Sequence, residues 1–199
     1  MNLAGPLLTP LAAHEWGDDE YAAVGALFGI SGADVPRAGS GAAADPLNFD
    51  ILGLLARHPA MAQDFLRYNG FLLRRGELPL RLRELVVLRV AHARRSAFFW
   101  GEHFRIATSG GMSEEDIDRL ARGNAGFDGV DLLVLEATDE MLADGRAKAV
   151  TWKRLVDDLG THQAMELIFV FGTYAMLATA CDTWELTPPP GNAKLPPGI

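Results

Sequence analysis

The chain has 199 residues, 49% of them apolar and 22% charged, with one cysteine, 21 glycines and 11 prolines. That is enough for one well-buried domain and short for two; it excludes disorder, and the lone Cys181 excludes a disulfide framework, a Cys-rich zinc site and a CxxC redox pair. Eighteen basic against 26 acidic residues leave a net charge of −8, the wrong sign for phosphate-backbone binding, so no nucleic-acid partner is expected.

The start Met1-Asn2-Leu3-Ala4-Gly5-Pro6 has no basic segment followed by a long apolar one, so a cytoplasmic protein without a secretory leader is expected. Asp18-Asp19-Glu20 puts carboxylates on the free N–H groups of a first helix that fades near Gly29. From Gly29 to Pro46 the chain is Gly-, Ala- and Pro-rich with few anchors, and reads as the longest loop. Asn48 can cap a short helix ending at His58, and Pro59 stands in the first turn of the next, Ala60 to about Arg75.

After Gly76 and Pro79, helices are expected over Leu80–Arg94 and from Ser96, as N-cap, to about Ser109, stopped by Gly110-Gly111. Ser113-Glu114-Glu115-Asp116 resembles a capping box and opens a short helix to about Arg122. Val130–Ala143 follows, then Thr151–Leu159 with Gly160 as its stop, then an apolar helix capped by Thr161 and running to about Trp184. Its Leu167–Ala180 core falls short of the roughly 20 apolar residues a bilayer needs, so a buried helix is expected and no membrane partner. The Pro-rich tail 188–199 runs extended over the surface or a neighbouring subunit. No segment alternates with period two. The fold class is all-α, a bundle of about eight helices.

Leu80–Arg94 is apolar on nearly every side, which buries Glu84 at least in part; such a carboxylate must find a partner or take up a proton. In the next helix Phe99, Trp100, His103, Ile106 and Ala107 share an apolar face at i, i+3, i+4 spacings. Two facing helices thus each carry one ionisable group among apolar side chains, as general acid–base chemistry requires. The structural alternative is that Glu84 and His103 satisfy each other in a core. About a turn at Arg95 their axial offset is only ~5 Å on helices ~8–10 Å apart, which allows a direct hydrogen bond or a bridging water.

Other candidates are weaker. Arg89 and Arg95 are the arginines nearest this pair and could clamp a substrate carboxylate, or pair with acids elsewhere. Phe99 and Trp100 could line a pocket or simply pack. Ser96 could bind a ligand or only cap its helix. Tyr174 and Asp182 lie eight residues apart on the last apolar helix, within ~80° of one face. His92 and His103 lack the spacing of a metal motif; His14, His58 and His162 read as surface or helix-end residues. No metal and no cofactor is expected.

The run Leu80-Arg81-Leu82-Arg83-Glu84-Leu85-Val86-Val87-Leu88-Arg89-Val90-Ala91, then Trp100-Gly101-Glu102-His103, then Gly110-Gly111-Met112-Ser113-Glu114-Glu115-Asp116-Ile117, resembles the carboxymuconolactone decarboxylase family, which includes the alkylhydroperoxidase D enzymes. Ala56-Arg57-His58-Pro59 and Gly172-Thr173-Tyr174 are similar to its longer members. The resemblance implies a helical domain over 46–187, after an N-terminal helix and loop at 1–45 and before the 188–199 tail, and a homo-oligomer. It further implies that Glu84 and His103 stand where the peroxidase members keep a Glu and a His. Ser96 and Phe99 stand where those members keep two cysteines, so disulfide-cycling peroxidase chemistry is excluded.

What remains is similar to the decarboxylase branch. That implies a cofactor-independent lyase or isomerase with Glu84 and His103 as catalytic groups and a small organic acid or ring compound as substrate. Ser96, Phe99, Trp100, Arg89, Arg95, Tyr174 and Asp182 would line the substrate site. A non-catalytic small-molecule binder or scaffold is the competing reading, and a residual peroxidase the last.

Overall fold

The computed structural model describes residues 6–40 and 50–197. Among them are eight α-helices, two 3-10 turns and no strand. The chain divides into two units, residues 1–76 with 183–186, and residues 77–182 with 187–199.

The first unit holds α1 (Asp18–Phe28), α2 (Asp50–Ala56) and α3 (Pro59–Arg74), with 3-10 turns at Ala13–Glu15 and Gly32–Asp34. Gly17, ahead of the acidic run, caps α1: its N–H donates to Glu20 Oε2 at 2.8 Å. Gly29 ends the helix in the left-handed region (φ 71°), where a side chain would be strained. Trp16, Tyr21, Val24, Leu52, Leu55 and Leu66 form the core of this unit. α1 and α3 approach so closely at Gly70 that a Cβ there would lie 2.3 Å from the Leu27 carbonyl oxygen.

The segment after Gly29 is better anchored than its composition suggests. Ser31 accepts from the Ala33 N–H at 3.3 Å and caps the second 3-10 turn. The Ala38 N–H donates to the Tyr21 hydroxyl at 2.9 Å, and Arg37 lies 4.0 Å over the same ring. The expected cap Asn48 and residues 41–46 of that loop lie outside the described residues. α3 begins at Pro59, with His58 Nδ1 accepting from the Met61 N–H.

The second unit holds α4 (Leu80–Ala93), α5 (Ala97–Ser109), α6 (Glu114–Arg122), α7 (Gly129–Asp144) and α8 (Ala149–Thr183). α4 is central: Leu82 and every residue from Glu84 to His92 are buried, and it packs against α5, α6 and α7. Ser113 caps α6 by accepting from the Asp116 N–H at 3.1 Å.

The two expected helices around Gly160 form one element, α8, broken at Gly160 where φ is 79°. At 35 residues, with a mean hydropathy of 1.6 in its most apolar stretch, α8 is long and apolar enough to cross a bilayer; half of that stretch is buried within the protein. Glu166, near its middle, is buried and accepts from the Leu78 N–H at 2.8 Å.

The tail lies along the α4–α5 hairpin. Asn192 Nδ2 donates to Glu102 Oε1 at 2.7 Å, Arg95 Nη1 to the Pro196 carbonyl at 2.7 Å, and His92 Nε2 bonds the Pro197 carbonyl at 3.2 Å. Gly101 admits this strap: a Cβ there would stand 2.8 Å from Asn192 Cβ.

Candidate functional site

The hairpin of α4 and α5 brings Glu84 and His103 into direct contact, without an intervening water. His103 Nδ1 lies 2.6 Å from Glu84 Oε2, with both side chains buried. Arg83 donates through Nε to the other carboxylate oxygen, Oε1, at 3.0 Å. Burial alone would push the Glu84 carboxyl up; the His103 ring and the Arg83 guanidinium outweigh it and hold the group below its ordinary value. An ionised Glu84 accepts the Nδ1 proton, which fixes the ring tautomer and leaves Nε2 as the reactive nitrogen. Among the described residues Nε2 makes no hydrogen bond.

Aromatic rings wall the imidazole. Tyr174, from α8, meets the His103 ring edge to face with centroids 4.8 Å apart. Phe99 stands 6.0 Å from His103 and 5.6 Å from Tyr174. Burial, and then the Glu84 carboxylate, raise the pKa of the Tyr174 hydroxyl, so it stays protonated and neutral. Open space beside Glu84 is a cavity of about 50 Å³ lined by Leu80, Arg81, Ala107, Gly110, Gly111 and Met112.

The remaining candidates are placed elsewhere. Arg89 is buried; its Nη2 bonds Asn124 Oδ1 in the segment between α6 and α7, and its Nε lies 3.4 Å from Asp139 Oδ1 of α7. Arg95 occupies the left-handed region (φ 59°) at the hairpin turn and holds the tail. Trp100 packs on His92 at 5.7 Å, and its Nε1 is buried without a partner among the described residues.

Ser96 sits at the N-cap position of α5, yet its hydroxyl makes no capping bond and is fully buried. The expectation of a Ser96 cap fails because the hydroxyl is turned into the protein. Burial raises the Asp182 carboxyl, opposed in part by the nearby Ser96 hydroxyl, although no hydrogen bond of ordinary geometry joins them. Cys181 is buried and its thiol is pushed up to about 12 by burial and then by Asp182, which leaves it a poor nucleophile.

Arg83 was not among the sequence candidates. Adjacent helical residues diverge by ~100°, so spacing directs attention away from a neighbour whose long side chain folds back. Among the described residues no three His, Cys, Asp or Glu side chains converge as metal ligands would.

Residues 59–140 match the family model described as Carboxymuconolactone decarboxylase family. The match covers Glu84, His103, Ser96, Phe99 and Trp100; Tyr174 and Asp182 lie beyond it. No curated protein and no solved structure matches the chain at significance.

Proposed function

Because residues 59–140 match the model of the carboxymuconolactone decarboxylase family, we propose that this chain is an acid–base catalyst, a lyase or isomerase that needs no metal or organic cofactor and acts on a small organic acid or ring compound. The carrying observation is the buried 2.6 Å bond between Glu84 and His103 Nδ1, with Arg83 on the opposite carboxylate oxygen. Glu84 orients the ring as the carboxylate of a Glu–His pair does, and His103 Nε2 moves the proton. In a decarboxylation the C–C bond to the leaving carbon dioxide breaks, its electron pair stays on the substrate carbon, and the Nε2 proton forms the new C–H bond. In an isomerisation Nε2 removes a proton from one carbon and returns it to another. Phe99 and Tyr174 supply apolar walls that exclude water.

The test is carbon dioxide release or proton exchange with a panel of carboxylated lactones and β-keto acids. His103→Ala is expected to lower kcat by about 10²–10⁴-fold, with Glu84→Gln similarly impaired and helical content retained. Unchanged turnover in both variants would overturn the assignment.

One observation favours the non-catalytic reading. A cavity of about 50 Å³ beside Glu84 holds water, not a ring compound, so catalysis requires Leu80 or Met112 to move aside or substrate to approach from the Nε2 side. A homo-oligomer forms part of the proposal, supported by the outward face of α8, where Met165, Ile168 and Met176 are exposed and Gly172 faces open space.

A further inference from the structure

The first unit contains a cleft of about 750 Å³ between α1, the turn that follows it and α3. That volume lies in the range of small-molecule sites, ~300–1,000 Å³. Its apolar wall is Ala22, Ala26, Leu27, Phe28 and Ile30; Arg67, Arg74 and Arg75 stand along the α3 side, and no carboxylate among the described residues lines it.

Three guanidinium groups around one cleft are out of keeping with a chain of net charge −8. Arg67 is paired with Asp64 at 3.2 Å, an exposed pair one turn apart and therefore weak. Arg74 and Arg75 have no carboxylate partner among the described residues. Each lies instead near an aromatic ring, Arg74 5.4 Å over Phe28 and Arg75 5.4 Å over Phe71. Such stacking orients a guanidinium while leaving its N–H edge for an anion.

The turn after α1 is held by close backbone approach. A Cβ at Gly25 would lie 2.8 Å from the Ile30 carbonyl oxygen, and one at Gly32 2.6 Å from the Ala22 nitrogen. The Ile30 N–H donates to the Gly25 carbonyl at 3.0 Å, so the turn that carries Ile30 is pinned onto α1.

We propose that this cleft is a second ligand site, which takes a small amphiphilic organic carboxylate: the anion against Arg74 and Arg75, the apolar body along Leu27, Phe28 and Ile30. Two features set this chemistry. Guanidinium forks match carboxylate oxygens, and the aliphatic and aromatic wall beside them offers an apolar surface for several methylenes. Neither feature involves Glu84 or His103, so the site stands or falls independently of the acid–base proposal.

Calorimetric titration of the full chain with octanoate tests it, with 1-octanol and acetate as probes that lack the charge and the apolar body respectively. Saturable octanoate binding is expected, about tenfold or more tighter than either control. Arg74→Gln/Arg75→Gln, both at exposed positions, should lose about tenfold or more of that affinity with the helical spectrum unchanged. Ala26→Phe, which fills the cleft and leaves the charges in place, should also abolish binding. Absent saturation, octanol binding as well as octanoate, or the arginine double variant binding as wild type would each overturn the proposal.

Discussion

Glu84 is a carboxylate kept ionised in a place that would otherwise neutralise it. Because its folded pKa lies below its ordinary value, the stability it contributes is fully present above the unfolded carboxylate pKa, about 4.3, and is lost as pH falls through the folded value. Denaturant unfolding between pH 3 and 7 should show wild type and Glu84→Gln converging toward the acid end. Arg83→Gln removes one of the two groups that lower this pKa, so the folded value moves toward the unfolded one and the stability lost between pH 7 and pH 3 should be smaller than in wild type. His103→Ala strands a buried carboxylate beside Arg83 and is expected to cost about 3–5 kcal/mol at pH 7. A loss near zero would mean that water replaces the ring at no cost.

At the scale of elements, the two serines at helix starts are not equivalent. Ser113 caps α6 through the Asp116 N–H, whereas the Ser96 hydroxyl is buried with no bond to α5. Ser113→Ala should therefore destabilise by about 1 kcal/mol. Ser96→Ala should cost less, because the Ser96 hydroxyl makes no capping bond to α5. Equal losses in the two variants by chemical denaturation would contradict this assignment.

Helix boundaries were legible because capping and Gly/Pro punctuation act within one turn of chain: Ser113, Pro59, Gly29 and Gly160 each mark a start, a stop or a break. The Ser96 rotamer depends on what packs against it from elsewhere in the chain, and local pattern carries no information about that. The same holds for Arg89, which the sequence placed near the Glu–His pair and which the fold turns toward Asn124 and Asp139.

For the molecule as a whole, the exposed apolar face of α8 leads to a prediction about mass. Light scattering should return a multiple of the 21.5 kDa chain mass, and Ile168→Glu/Met176→Glu should return the single-chain value. A monomeric wild type would remove the oligomer from the proposal.

By itself the sequence determined the all-α class, the family resemblance, the absence of a redox thiol pair and the location of Glu84 and His103 on consecutive helices. The helical class, the missing thiol pair and the helix placement follow from periodicity and residue type, which are properties of short stretches; the resemblance rests on the spaced motifs at 80–91, 100–103 and 110–117. Only the tertiary structure decided that the pair bonds directly at 2.6 Å, that Arg83 completes it, that Tyr174 closes one side and that the tail straps the hairpin. Those outcomes depend on helix crossing, rotamers and contacts between distant residues, where a shift of one or two ångströms separates a hydrogen bond from none.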